Sequence, residues 1–265
     1  MAKKRLDVAL MEAGLAQSRE RAQGLILAGQ VLLNDVPVSK PGAPVKPDDR
    51  IRVRGEDHPW VSRGGIKLAA ALDAFQVTVE GRVGLDIGAS TGGFTQVLLA
   101  RGASKVFAID VGHNQMDWKI RSDSRVVVRE KLNARNLEWE HVGSTVDVIV
   151  VDVSFISLDK ILPAALKFAH EKTDWITLVK PQFEVGKEFV GKGGIVTSEE
   201  AREAAIDRIT SFASRLGLNR LGLIPSPIRG MEGNTEYLAH WRLPPEEITR
   251  LRSATEKPSS QESPA

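Results

Sequence analysis

Residues 82–102 read RVGLDIGASTGGFTQVLLARG. A short apolar run, Val83 to Ile87, passes at Gly88 into a loop of small residues. Apolar residues then return at helical spacing through Val97, Leu98 and Leu99. Strand, glycine loop and helix in immediate succession are the opening unit of an α/β sheet. The same alternation continues on both sides. GGIKLAAALDAF (64–75) predicts a helix, and KVFAIDV, RVVVRE, VDVIVVDVS and WITLVK predict strands. LDKILPAALKFA predicts a helix interrupted by Pro163, and SEEAREAAIDRITSFASRLG a long helix. NRLGLIPSPI and EYLAHWRL follow with no helix between them, which predicts an antiparallel hairpin at one edge. The expected fold is α/β, a doubly wound Rossmann-like sheet.

The segment before it has a different grain. RLDVALMEAG and SRERAQGLILAG predict two short helices, the second capped by Ser18 and stopped at Gly29. QVLLN, an Asn34-Asp35 turn, VPVS and RIRVRG then predict a small β element. The chain therefore divides into an α+β unit over 1–54, a linker over 55–61, the large unit over 62–243 and a polar, partly disordered tail over 244–265.

The 265 residues are 42% hydrophobic and 26% charged, which is ordinary globular composition. No apolar stretch is long enough to span a bilayer, and the charged N-terminus lacks a signal-peptide core, so a cytoplasmic protein is expected. With no cysteine, disulfides, thiolate metal sites and cysteine nucleophiles are excluded. No metal is expected, and nothing demands a dimer. The net charge of +2 does not by itself indicate a nucleic-acid partner, and the basic clusters at 3–5, 19–21 and 50–54 read alone as solvated surface.

The glycine loop is built for a ligand, because glycines let backbone approach it closely. Asp110, at the end of the next strand, is placed to accept both ribose hydroxyls of an adenosine. NAD and S-adenosylmethionine both fit that outline. The spacing is Gly88-x-x-x-Gly92-Gly93 rather than G-x-G-x-x-G, and Asp86 precedes it. A carboxylate there disfavours a pyrophosphate and suits the cationic amino-acid end of S-adenosylmethionine. The expected cofactor site takes in Asp86, the loop Gly88, Ala89, Ser90, Thr91, Gly92, Gly93 and Phe94, then Asp110, Val111, Asn133 and Asp152.

Charges also stand at strand tips. Asp152 and Lys180 each close an apolar run, and adjacent parallel strands would bring them together. Placing charge at the end of a buried strand is costly unless it is solvated, paired or functional. Lys67 on the first helix of the large unit and Glu236 at the start of the last strand read singly as salt-bridge residues. A cluster of two lysines and a carboxylate beside a cofactor loop suits activation of an unactivated hydroxyl, such as a ribose 2′-OH, toward a methyl sulfonium.

These motifs carry a resemblance. Residues 1–54 resemble an S4 RNA-binding domain, and the remainder resembles an FtsJ/RrmJ-type 2′-O-ribose methyltransferase. SRGGIKL, DIGASTGGFT, DVSFISL, LVKPQFEVGK and GNTEYL, in that order, are similar to the TlyA (hemolysin A) family of rRNA methyltransferases. The resemblance implies S-adenosylmethionine-dependent methylation of cytidine 2′-OH in rRNA of the large and in some members the small subunit. It also implies a Lys–Asp–Lys–Glu tetrad: Lys67, Asp152, Lys180 and Glu236. Lys180 would accept or direct the hydroxyl proton and Asp152 would tune it, while Lys67 and Glu236 orient the ribose. Lys3, Lys4, Arg5, Arg19, Arg21 and Lys40 would contact rRNA phosphates, with Lys187 and Lys192 in the glycine-rich VGKEFVGKGG loop as further contacts. For Phe155 the residues leave two readings open, stacking on a flipped base or packing in the core. A second enzyme reading is methylation of another structured RNA, such as tRNA, or of a base; a base methyltransferase would be expected to carry an Asn/Asp-Pro-Pro-aromatic motif where this chain has DVSF. An assembly factor without catalysis would not need the four tetrad residues intact.

Overall fold

The computed structural model describes residues 4–16, 18–27, 29–53, 58–230 and 233–245. Lys3, the first three residues of the expected linker (55–57) and the tail from 246 lie outside the described residues. The chain forms two compact units, Met1–Pro59 and Trp60–Ala265.

In the first unit β1 (Lys4–Arg5) leads directly into α1 (Leu6–Glu12), followed by α2 (Arg19–Leu27), β2 (Val31–Leu33), β3 (Val36–Pro37), β4 (Pro44–Val45) and β5 (Ile51–Val53). Ser18 Oγ accepts from the Arg21 N–H at 3.1 Å, satisfying one of the free donors at the start of α2. Beyond α2 the chain turns at Gly29, whose φ of +67° suits a residue without Cβ. Asn34 and Asp35 both have positive φ, 52° and 64°, as a two-residue hairpin turn between β2 and β3 requires. The core is Leu6, Leu10, Ala22, Leu25, Ile26 and Val31. β1 and β4 pair antiparallel over two residues each, too short to leave a periodic signal, and were not expected.

The second unit opens with α3 (Gly64–Ala74), then β6 (Val83–Ile87), α4 (Gly93–Ala100), β7 (Lys105–Ile109), α5 (Trp118–Arg121), β8 (Val126–Arg129), β9 (Val148–Val151), α6 (Leu162–Ala165), β10 (Asp174–Val179), α7 (Pro181–Glu184), α8 (Glu199–Arg215), β11 (Asn219–Pro225) and β12 (Tyr237–Arg242). One seven-stranded sheet runs β11-β12-β10-β9-β6-β7-β8. β8, β7, β6, β9 and β10 are parallel, and β12 is antiparallel to both its neighbours. The expected edge hairpin is present, with β12 inserted between β10 and β11.

Residues alternate between two cores, one on each face of the sheet. Leu85, Ile87, Ile149, Val151 and Trp175 face α6 and α8. Val106, Val148, Val150, Ile176 and Leu178 face α3, α4 and α5. Because both faces are covered, the parallel strands read as largely apolar runs, interrupted by Asp86 in β6 and Thr177 in β10. The predicted helix at LDKILPAALKFA is instead three short pieces, 3₁₀ turns at 158–160 and 166–168 flanking α6. Pro163 lies in the first turn of α6, where its missing N–H costs nothing, so it starts a helix rather than interrupting one.

From β6 the chain winds to β7 and β8 on one side and resumes at β9 and β10 on the other. The strand order therefore reverses between β6 and β9, and the carboxyl ends of these two strands form the crevice in which such sheets bind ligands.

Candidate active site

β6 ends at Ile87 and β9 at Val151, paired in register, with the Asp152 N–H donating to Ile87 O at 2.9 Å. Gly88 thus lies against the backbone of Asp152. Its φ is +87°, and a Cβ there would fall within collision distance of Asp152 O. Only glycine fits. The chain then runs through the left-handed Gly92 (φ +93°) into α4.

Asp110, just past β7, accepts from the Ser90 N–H at 2.8 Å through Oδ2 and from the Gly112 N–H at 2.6 Å through Oδ1. These bonds hold the glycine loop to the tip of β7. A cavity of about 670 Å³ opens there, lined among others by Gly88, Ser90, Asp110, Val111, Asn133 and Asp152. Six of the expected cofactor residues therefore face one space. Asp86, buried within β6, is not part of the lining, and neither are Ala89, Thr91, Gly92, Gly93 and Phe94 of the loop. Thr91 O accepts from the Asp117 N–H at 3.1 Å, Gly92 packs on Ile120 and Met116, and Gly93 on Ser62. They shape the loop from behind.

Asp86 is fully buried in β6. Its Oδ2 accepts from Thr95 Oγ1 at 2.6 Å, while its Oδ1 has no partner. Burial pushes the carboxyl up to about 7 against the pull of the Thr95 hydrogen bond, and the negative Asp152 and Asp110 add to the rise. A buried carboxyl with an unused oxygen beside a glycine cradle is a place for a cationic group. That fits the ammonium and sulfonium of S-adenosylmethionine better than a pyrophosphate.

The four tetrad residues form two ion pairs. Lys180 Nζ lies 2.7 Å from Asp152 Oδ1 and donates to Ser154 Oγ at 2.8 Å. Lys67 Nζ lies 2.5 Å from Glu236 Oε2. Both lysines are 8% exposed. Register brings the pairs together: Val179 opposes Tyr237 across β10 and β12, so Lys180 and Glu236 are the next residues on adjacent strands. Lys67 comes from α3, 169 residues away in sequence from Glu236. The other end of β10 provides a contrast. Asp174 is buried too, but His240, Arg82 and Arg242 hydrogen-bond it at 2.8, 2.9 and 2.5 Å. Burial would raise its carboxyl, yet these bonds outweigh burial and hold it at about 2. Asp174 is saturated by structure, whereas Lys180 is tied to Asp152 and Ser154, both of which line the cavity.

Phe155 is 88% exposed with φ +62°, and its ring lies 5.3 Å from that of Phe183. The core-packing reading is therefore overturned, and the ring stands at the cavity wall. Lys187 and Lys192 are exposed at the starts of two 3₁₀ turns. In the first unit Lys4 pairs with Glu12, Arg5 and Arg19 pair with Asp7, Arg21 donates to His58 O at 3.2 Å, and Lys40 is exposed.

Sequence reasoning missed Ser154 and a clamp behind the tetrad. Glu184, at the end of α7, accepts from Ser157 Oγ at 2.6 Å, from the Leu158 N–H at 2.9 Å and from Arg208 of α8 at 2.9 Å. It ties the segment after Asp152 to the segment after Lys180. Burial pushes Glu184 up to about 6, although these hydrogen bonds oppose the rise. Its only trace in the sequence is an acid four residues after Lys180. A second tie is Asn234, which accepts from the Val196 N–H at 2.9 Å and donates to Gly194 O at 2.8 Å, two residues before Glu236. Among the described residues no group of His, Cys, Asp and Glu side chains is arranged to hold a metal ion. No described helix is long and apolar enough to cross a membrane.

Comparison with known proteins gives two family matches. Residues 60–243 match the FtsJ-like methyltransferase family and residues 4–51 the S4 domain. The chain is 47% identical over 234 residues to the 16S/23S rRNA (cytidine-2′-O)-methyltransferase TlyA of Mycobacterium tuberculosis, covering 88% of this chain and 87% of that protein. It is 44% identical to Hemolysin A of Brachyspira hyodysenteriae, covering 89% and 99%. A solved structure from Streptococcus thermophilus, described as a hemolysin, superposes with a TM-score of 0.72 at 40% identity and covers 97% of both chains.

Proposed function

This chain belongs to the TlyA family, in which an S4 domain accompanies an FtsJ-like methyltransferase domain, and on that premise we propose that it methylates the ribose 2′-OH of cytidine in rRNA with S-adenosylmethionine. When bound, S-adenosylmethionine supplies a methyl group on a positively charged sulfur, open to attack by an oxygen nucleophile. Gly88, Ser90, Asp110, Val111 and Asn133 would hold its adenosine part, and Asp86 would face its cationic amino-acid end.

The observation that carries the reading is the two ion pairs, Lys180 with Asp152 and Lys67 with Glu236, brought to the ends of adjacent strands, with Asp152 lining that cavity. A ribose hydroxyl is a poor nucleophile, and its oxygen gains the electron density it needs for attack only as its O–H proton is drawn away. Lys180, fixed by Asp152 and Ser154, accepts or directs the hydroxyl proton and stabilises that oxygen. Lys67, held by Glu236, orients the ribose and adds positive potential. Desolvation strengthens each of these interactions relative to water. Phe155 offers the ring on which the extruded base stacks.

Methyl transfer from labelled donor onto separate 30S, 50S and 70S particles, with the modified nucleotide mapped, tests the substrate. A product other than 2′-O-methylcytidine overturns it. Lys180→Ala is expected to lower methyl transfer at least 10³-fold, on the order of the contribution of a general base plus a charge-stabilising group, with RNA affinity nearly unchanged. Activity surviving that substitution removes Lys180 from the chemistry.

A further inference from the structure

Asp7 is fully buried in the first unit, although it is a carboxylate in the part of the chain that matches an RNA-binding domain. Its Oδ1 accepts from Arg5 Nε at 3.0 Å and from the Val8 N–H at 3.0 Å. Its Oδ2 accepts from Arg5 Nη2 at 2.9 Å, Arg19 Nε at 3.1 Å and Gln23 Nε2 at 2.9 Å. The side chains of Arg5 and Arg19 are about half exposed, and Asp7 grips each through its Nε edge. Arg5 Nη1 and both Nη groups of Arg19 take no part in these bonds. Gly42 leaves room for Arg5 Nη1, which a Cβ at that position would meet at 2.9 Å.

Charge alone does not account for Asp7. A surface meant only to attract a polyanion loses attraction by including an acid. A buried acid that is itself fixed by the Val8 N–H and Gln23, and that accepts from the Nε edges of two guanidinium groups, fixes their planes and leaves the outer donors set for a second, planar acceptor. Arginine pairs bidentately with carboxylate and phosphate alike, so it can be held on one edge and recognise on the other.

We propose that Asp7 is a positioning residue that sets Arg5 and Arg19 as a preorganised fork for the phosphodiester backbone of structured RNA. The fork deepens the reading of this chain as an rRNA-modifying enzyme and rests on it. Preorganisation and simple electrostatics predict opposite signs for one substitution. Asp7→Asn keeps the size of the side chain and raises the net charge of the patch by one. If the patch acts by charge, Asp7→Asn binds RNA more tightly. If Asp7 positions the fork, the amide nitrogen confronts the arginine donors, the fork loosens and binding weakens.

The test uses the full-length chain and a labelled large-subunit rRNA transcript, with affinity measured across a salt series. The expected result is about 5-fold weaker binding for Asp7→Asn, with donor affinity unchanged and amide exchange over residues 6–27 still protected. The double variant Arg5→Lys with Arg19→Lys conserves charge and removes the forks. It is expected to bind about 10-fold more weakly with the slope of log K against log salt kept, because that slope counts charges rather than geometry. Wild-type or tighter binding by a folded Asp7→Asn chain overturns the inference. If Asp7→Asn loses exchange protection, the lysine pair decides, and unchanged affinity there overturns it. A wild-type chain with no salt-dependent affinity for the transcript would instead sink the RNA reading itself.

Discussion

Buried charge is where single residues of this protein matter most. The carboxyl of Asp86 sits near 7, raised chiefly by burial, while its value in an unfolded chain is close to 3.8. Between those limits the folded chain holds a proton that the unfolded chain releases, so stability falls as pH rises from about 4 to 7 and levels above. The span corresponds to about 4 kcal/mol at most. Asp86→Asn escapes that loss, so its melting temperature is expected to gain on the wild type between pH 5 and pH 8. Thermal denaturation at the two pH values checks this, and a pH-independent difference would count against it. A bound cation favours ionised Asp86, so donor affinity in the wild type is expected to rise with pH toward 7 and to be flatter in Asp86→Asn, as calorimetric titration would read. Lys180 and Asp152 were legible in the sequence because each is a charge ending an apolar run. Ser154 and Asp7 were not, since a polar residue in a turn or on a short helix looks the same whether or not it holds an arginine or a lysine.

At the scale of elements, the loops that bear the tetrad are fixed from behind. Gly88→Ala would drive a methyl group into the Asp152 carbonyl at a left-handed φ. It is expected to abolish donor binding and to destabilise the fold by several kcal/mol; equilibrium dialysis with labelled donor together with urea denaturation measures both. Arg208 is nearly half exposed and shares Glu184 with Ser157 and Leu158. Arg208→Ala is therefore expected to cost only about 1–2 kcal/mol, since Glu184 keeps two donors. A loss below about 0.5 kcal/mol in denaturant titration would show that the clamp does not need the arginine. The central strands could be read from the sequence because helices cover both faces of the sheet and leave few polar positions in them. The segment around Pro163 could not, because one proline is compatible with breaking a helix and with starting one. β1 and β4 were beyond reach because two-residue strands exist only through their partner.

For the whole molecule, two compact units with separate cores imply two cooperative transitions rather than one. The donor cavity lies wholly within the second unit. Scanning calorimetry with S-adenosylhomocysteine at 100 times its Kd is expected to raise one transition by the equivalent of about 2.7 kcal/mol and to leave the other in place. Both transitions moving together would refute this. The division was visible in the sequence as a change of grain near residue 60. The fact that β12 enters the sheet between β10 and β11, rather than beside an edge strand, was not, because order across a sheet depends on contacts that no local pattern records.

That placement bears on how the protein is made. Among the described residues β12 is the last strand in chain order, and the residue before it, Glu236, meets a lysine translated 169 residues earlier. Until it emerges, β10 has an unpaired side and Lys67 has no counterion from Glu236. A nascent chain can therefore complete its S4 domain while still attached to the ribosome, yet it brings the four residues together only after the strand that follows Glu236 has emerged.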